Sequence, residues 1–366
     1  MHLRSTRITQ LKILGKAFQR LITDVGGRPR RHVAWCRRLA LMPDIVTVTL
    51  NPALDLSTST EWVQPTHKLR CTGLRRDPGG GGINVARVVR RLGLAVAAIY
   101  TVGGPIGELL QRFVTLEHVD SLPIQIASDT RENFTVDERA SAQQFRFVLT
   151  GPELTEKEWR HCLEVLGSIE PFPKYVVASG SLPSGVPIDF YSRIARLSKK
   201  RQARFVLDTS GEPLKAALEE GVYLIKPNLR EFSELVGRSV GGEAEWTEAC
   251  RQMLAGRQLE VIALTLGHRG ALLGAGNQLW TAPSLNIKPI SAVGAGDSFL
   301  GGLLWSLASG HDFCRALTYG MAAGSAALLA HGTGLADPKE VARLYQQVRV
   351  RIDRHYDKSA ATANGQ

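Results

Sequence analysis

Short apolar, β-branched runs at 44–50, 95–101, 174–180, 204–208, 222–227 and 261–266 alternate with segments at 188–201, 214–220, 230–236 and 243–255 whose apolar residues recur every three to four positions. Strands this short and this apolar have no face to give to water. They must be covered on both sides, and the helices between them supply the cover, so the alternation predicts a parallel sheet in an α/β fold. The last third reads as mostly helical, over 296–308, 313–329 and 338–354. Two regions, about 55–76 and 128–148, break the rhythm with two-residue periodicity and polar faces; 132–139 and 143–149 flank a turn at 140–142 and predict a hairpin. A whole helix–strand unit separates the two regions. They are therefore expected to form a small sheet of their own, placed as a lid, rather than extra edge strands of the main sheet.

Composition narrows the function class. The chain has 366 residues, 44% hydrophobic and 22% charged, which excludes wholesale disorder and low-complexity architectures. No run of 18 uncharged apolar residues suggests a transmembrane helix. Five scattered cysteines without a CxxC pair argue against a zinc site or a disulfide framework and suit a cytoplasmic protein. The net charge of +11 is uneven: residues 1–43 hold ten Lys/Arg and one acid, a charge of +9, which leaves +2 for 44–366. The basic field belongs to an N-terminal extension, expected to be poorly ordered. A transit peptide or an arm for an anionic surface are its other readings. The nearly neutral body, 44–354 followed by a tail at 355–366, gives no support for nucleic-acid or membrane partners.

Two glycine-rich segments run into helices. Pro78-Gly79-Gly80-Gly81-Gly82-Ile83-Asn84 precedes the first, and Val293-Gly294-Ala295-Gly296-Asp297-Ser298 opens another. Glycines at a helix start let backbone N–H groups approach an anion, and the helix terminus favours negative charge. The first could instead be a flexible turn and Asp297 an N-cap. Neither segment is a GxGxxG dinucleotide fingerprint, and no GxxxxGK[ST] occurs, which disfavours Rossmann dehydrogenases and P-loop ATPases. Lys226-Pro227-Asn228-Leu229-Arg230-Glu231 follows a strand; Asn228 and Glu231 share a helix face and suit a hydrated Mg²⁺, or else form a capping box. Thr265–Gly270 is a glycine-bounded loop after another strand that could hold a nucleotide.

In combination, GGGGINVAR, KPNLREF and SAVGAGDSFLGG, in this order, resemble the signatures of the ribokinase/PfkB carbohydrate kinase family, over roughly 44–350. TVTLNPALD, with Asp55, resembles its sugar-phosphate branch. The resemblance implies a ribokinase-like three-layer α/β/α sandwich with a small β-sheet lid, and a homodimer built through the lids. It implies ATP-dependent phosphorylation of fructose 6-phosphate to fructose 1,6-bisphosphate, with 1-phosphofructokinase or tagatose-6-phosphate kinase activity as the alternative and a catalytically idle sugar- or nucleotide-binding regulator as a remote one. Carried over residue by residue, Asp297 becomes the catalytic base, and Gly294, Ala295 and Gly296 the anion hole. Asp55, Asn84 and the backbone of Gly79, Gly80, Gly81 and Gly82 hold the sugar. Arg70 and Arg131, helped by Lys68 and Ser181, bind its existing phosphate. Lys226, Asn228 and Glu231 serve ATP and Mg²⁺, with Glu231 acting through water, while Thr265, Gly267, Gly270 and Ser325 line the nucleoside. Relatives also admit a monovalent cation (K⁺). Here Ala292 stands where many of them carry a hydroxyl, and 330–334 also varies.

Overall fold

The computed structural model describes residues 43–256, 258–330 and 332–354. The N-terminal extension up to Met42 and the C-terminal tail lie outside the described residues. In chain order the strands are β1 (Ile45–Thr49), β2 (Ala53–Thr60), β3 (Thr72–Gly79), β4 (Ala97–Val102), β5 (Asp120–Gln125), β6 (Arg131–Glu138), β7 (Gln143–Val148), β8 (Tyr175–Ser179), β9 (Arg204–Asp208), β10 (Val222–Ile225), β11 (Leu259–Thr265), β12 (Ala271–Ala275), β13 (Gln278–Ala282) and β14 (Arg351–Arg354). The helices are α1 (Gly81–Arg91), α2 (Gly104–Leu116), α3 (Glu156–Gly167), α4 (Phe190–Lys200), α5 (Glu212–Glu220), α6 (Leu229–Val236), α7 (Glu243–Ala255), α8 (Ala295–Ala308), α9 (Phe313–Leu328) and α10 (Pro338–Tyr345).

Ten strands form one sheet in the order β14-β13-β12-β11-β10-β9-β8-β1-β4-β5, parallel from β11 to β5 and antiparallel from β11 to β14. Alternate side chains of the parallel strands enter two apolar layers. Ile45, Tyr175 and Val206 pack with Val85, Val88, Phe299, Leu303 and Leu317 on one face. Val46, Val48 and Leu207 pack with Trp159, Phe190, Ile194, Phe232 and Trp246 on the other. The three layers are therefore α1, α2, α8, α9 and α10, then the sheet, then α3 to α7.

The second sheet, β3-β2-β6-β7, is separate from the first, as the period-2 segments predict. Asp55 pairs with Asp77 on one side and Asn133 on the other. Register then puts Asp55, Ser57, Asp77, Asn133, Thr135 and Arg146 on one face, and Leu56, Phe134, Val136, Phe145 and Phe147 on the opposite one.

The helix expected over 338–354 is corrected. It stops at Tyr345, and Arg351–Arg354 pairs antiparallel with β13 as an edge strand. Val348, Val350 and Ile352 alternate at period 2, and the open edge of β13 satisfies the backbone of 351–354 as well as a further helical turn would.

Candidate active site

The carboxyl ends of β1, β8, β9, β10 and β11 lie side by side and end in Thr49, Ser179, Asp208, Lys226 just beyond β10, and Thr265. This is the edge at which open parallel sheets bind ligands. The start of α1 is pressed onto it. A Cβ at Gly82 would stand 2.5 Å from Thr49 Oγ1 and 2.9 Å from Val48 O, and one at Gly81 would collide with the Ser179 hydroxyl. Gly79 is equally closed by the Asp55 carboxylate, and Gly80 has φ 115°. The four glycines are thus demanded by internal packing; they are not a flexible turn. Their absent side chains let the helix N-terminus reach the strand ends.

The start of α8 meets it from the other side. Gly294 is the N-cap, left-handed at φ 74°, a conformation that favours glycine, and Ser298 N donates to its carbonyl at 2.8 Å. Asp297 sits three residues in and makes no side-chain cap, so the N-cap reading is corrected. Instead its Oδ2 accepts a hydrogen bond from Asn84 Nδ2 of α1, 2.9 Å away, joining the two glycine-rich segments at one point. Burial, followed by the charge of Asp208, raises the Asp297 carboxyl to about 6, against the lowering effects of the Asn84 hydrogen bond and Lys226. A carboxylate tuned towards neutrality in a cleft suits a general base. Of the first amides of α8, Ala295 N donates to Ala292 O at 3.4 Å, whereas those of Gly296 and Asp297 have no intrahelical acceptor and can face an anion.

Lys226 is buried, and its Nζ is 3.2 Å from Asp208 Oδ1. Burial pulls its pKa down, but Asp208 and Asp297 outweigh that and hold the ammonium above its ordinary value. A Cβ on Gly296 would be 3.4 Å from Nζ, so the lysine lies directly under the α8 terminus. Asp208 also accepts from Ser179 Oγ at 3.2 Å.

Two clefts meet at Asp297. One, about 210 Å³, runs under the lid between Asp55, Asn84, Arg131, Asn133, Arg146 and Gly294. The other, about 470 Å³, runs along the strand ends past Ser179, Ser181, Asp208, Thr209 and Glu231. Gly81 and Asp297 border both. Burial raises the Asp55 carboxyl above its usual range despite a hydrogen bond from Asn133 Nδ2 at 2.9 Å. Arg131 donates to the carbonyls of Asn51 and Leu149, both at 2.9 Å, while its Nε is buried without a partner among the described residues. Asn51 Nδ2 in turn donates to Ser181 Oγ at 3.2 Å, so one residue links Arg131 of the smaller cleft to Ser181 of the larger.

Of the remaining expected residues, Glu231 borders the larger cleft, while Asn228 and those that follow fall outside both. Asn228 and Glu231 form the capping box of α6, with Glu231 N to Asn228 Oδ1 at 3.0 Å and Asn228 N to Glu231 Oε2 at 2.9 Å. Each keeps one polar atom free of this pairing. Thr265, Gly267 and Gly270 shape the turn leaving β11, Ser325 is buried within α9, and none of the four lines either cleft. Lys68 and Arg70 occupy the exposed connection between β2 and β3. That is the far end of the lid, since Ser59 pairs with Thr72 roughly 13 Å along the strand from Asp55. Sequence reasoning missed Asp208, Asn51, Asn133 and Arg146. A carboxylate closing an apolar run, as in Arg204–Asp208, was the available signal for the first; Asn133 and Arg146 become visible only once the lid register is known.

The model of the pfkB family carbohydrate kinases matches residues 45–340. The ATP-dependent 6-phosphofructokinase isozyme 2 of Mycobacterium tuberculosis (strain CDC 1551 / Oshkosh) is 40% identical over 304 residues, covering 83% of this chain and 89% of its own. The Escherichia coli (strain K12) enzyme of the same name is 37% identical over 306 residues, covering 83% and 98%. Crystal structures of that phosphofructokinase-2 in complex with fructose-6-phosphate and with potassium have TM-scores of 0.79 and 0.80 at 36% identity, covering 84% of this chain and 99% of theirs. A tetrameric inhibited form of it is similar at 0.78, with the same identity and coverage. The 1-phosphofructokinase of Bacillus subtilis (strain 168) is 31% identical over 306 residues, covering 84% and 99%. With its ribokinase-like α/β fold and separate lid sheet, this chain belongs to the pfkB carbohydrate kinase family.

Proposed function

We propose that this chain is an ATP-dependent 6-phosphofructokinase, transferring the γ-phosphoryl group of ATP to fructose 6-phosphate to give fructose 1,6-bisphosphate in the cytoplasm. The observation that carries the reading is the meeting of two clefts at Asp297, with the N-terminus of α8 on one side and a buried lysine beneath it. Phosphoryl transfer asks chiefly for positioning and charge neutralisation, and this arrangement offers both. Asp55 and Asn84 hold the sugar hydroxyls. Asp297 accepts the proton of the attacking hydroxyl, and the amides of Gly294, Ala295 and Gly296 with Lys226 balance charge on the transferred group. Thr265, Gly267, Gly270 and Ser325 serve the nucleoside side.

The donor set suits Mg²⁺ held mostly by water and phosphate. Among the described residues no three His, Cys, Asp or Glu side chains are grouped to hold a metal, and the capping box leaves Glu231 and Asn228 only partial capacity. Glu231, with Asp208 across the larger cleft, would hold the ion's waters, and the ion would neutralise phosphate charge. For K⁺, the support is the potassium complex of the Escherichia coli relative together with the Ser291 hydroxyl beside the anion hole, which donates to Gly332 O at 2.8 Å.

The outer lid face exposes Phe134 at 40%, Phe147 at 53% and Leu74 at 55%. An apolar face of this kind supports a homodimer built through the lids. Lys68 and Arg70, at the far end of the lid, would then act on the cleft of the second copy. Arg131 would act within its own chain.

A coupled ATP-consumption assay over fructose 6-phosphate, fructose 1-phosphate, tagatose 6-phosphate and fructose tests the reading. The highest kcat/KM is expected for fructose 6-phosphate; preference for another of the four overturns the substrate. Arg131→Ala is expected to raise KM for fructose 6-phosphate about tenfold or more, the worth of a lost charge-assisted contact, with KM for ATP little changed. Because Asp297 must be ionised to accept a proton and its pKa is raised to about 6, turnover is expected to fall as pH drops through about 6. An ordinary carboxylate would hold the rate down to about pH 4. A kcat profile flat from pH 7 to 5 would contradict this.

A further inference from the structure

One turn beyond Asn84, α1 carries Arg87, which is 1% exposed and has no part in the chemistry above. A guanidinium has five N–H donors and no acceptor, so every polar neighbour of Arg87 must offer an oxygen. Nη1 donates to Pro78 O at 2.9 Å and to Asn84 Oδ1 at 3.2 Å. Nη2 and Nε donate to Glu117 Oε1 at 2.8 and 3.1 Å, and Asp77 Oδ1 lies 3.7 Å from Nη2. Glu117, at the C-cap of α2, also receives Arg91. Burial alone would be costly for such a charge, and two carboxylates compensate it.

The consequence falls on the Asn84 amide. An amide has one donor end and one acceptor end, and turning it over exchanges them. With its oxygen claimed by Arg87, only its NH₂ group can face Asp297 Oδ2, which is the 2.9 Å contact at the centre of the site. The reversed amide would set two donors together at Arg87 and two acceptors together at Asp297. Pro78 and Asp77 belong to β3, the lid strand that runs into the glycine segment, and Asp77 Oδ2 accepts from Thr333 Oγ1 at 2.7 Å. One guanidinium thus ties the lid base to the residue that holds the carboxylate.

We propose that Arg87 is a positioning residue for phosphoryl transfer, orienting the Asn84 amide to donate to Asp297 and fixing that pair to the lid strand. The proposal rests on Asp297 as the proton acceptor. It is tested with the full-length chain in a double-mutant cycle of wild type, Arg87→Lys, Asn84→Ala and both together, reading the transfer rate in single turnovers so that slow variants stay measurable. Lysine keeps the charge but lacks the planar fork. Arg87→Lys is expected to slow transfer about tenfold in the wild-type background and less than about twofold in the Asn84→Ala background, with KM for ATP unchanged. Equal slowing in both backgrounds, or a folded Arg87→Lys protein of normal rate, overturns the proposal. Should Arg87→Lys fail to fold, Glu117→Gln loosens the same guanidinium from its far side. It is expected to slow transfer about threefold with Asn84 present and not without it, and equal effects again overturn the proposal. Asp297→Asn run alongside separates the two claims: a normal rate there overturns the proton acceptor, whereas a slow Asp297→Asn with an additive cycle overturns only Arg87.

Discussion

Asp297→Asn is expected to lower kcat by roughly 10²–10⁴-fold, the usual worth of a positioned general base, without unfolding the protein. The two effects separate because Asp297 does not cap its helix; its side-chain hydrogen bond from Asn84 can be accepted by an amide oxygen as well. The stability effect has a definite sign. The carboxyl is raised from 3.8 to about 6 by burial and by Asp208, so the folded chain binds this proton more tightly than the unfolded chain. Ionisation therefore opposes folding, in full above about pH 6 and not at all below about pH 4. The asparagine variant is expected to melt no lower than the wild type at pH 7.5, with any advantage gone at pH 4. Melting curves at the two pH values, beside kcat at pH 7.5, check this. A slow variant that also melts several degrees lower would point to a structural role.

Lys226→Met is expected to cost about 3–5 kcal/mol of stability at pH 7, the penalty for removing one partner of a buried ion pair. Its Nζ lies 3.2 Å from Asp208, and the two side chains are 8% and 14% exposed, so little solvent screening intervenes. The raised lysine pKa means that this contribution is complete at neutral pH and is lost only above the ordinary lysine range. The same substitution removes a positive charge that holds the Asp297 carboxyl down, so the acid limb of turnover is expected to move above pH 6. Urea unfolding and a kcat profile measure the two effects. A variant as stable as wild type would show that the lysine and Asp208 do not depend on each other.

Much of this was legible in the chain. Glu243–Ala255 and Arg204–Asp208 coincide with their expected limits because apolar spacing decides them locally. The lid followed from period-2 polarity, and the two glycine-rich helix starts, GGGGIN and GAGD, were legible as such. What stayed hidden depends on distant partners. A helix over 338–354 and a strand at Arg351–Arg354 differ in whether β13 has a free edge, which no local pattern records. The glycines at 79–82 suggested ligand approach, whereas Thr49, Ser179 and Asp55 already forbid side chains there. Lys68 and Arg70 look alike in sequence to any phosphate-binding pair, and only the β2–β3 register sends them to the far end of the lid. Arg87 reads as one basic residue among several on α1 until Asn84, Pro78 and Glu117 are seen around it.

The central claim is that ATP and a sugar phosphate meet across Asp297, and the most direct measurement is the ³¹P spectrum of a reaction of the full-length protein with ATP, Mg²⁺ and fructose 6-phosphate. The account predicts ADP and one new phosphomonoester in equal amounts, on carbon 1 of the fructose, formed by the wild type and almost absent with Asp297→Asn. ADP accompanied only by inorganic phosphate, phosphate on another carbon, or the same product at the same rate from Asp297→Asn would contradict it.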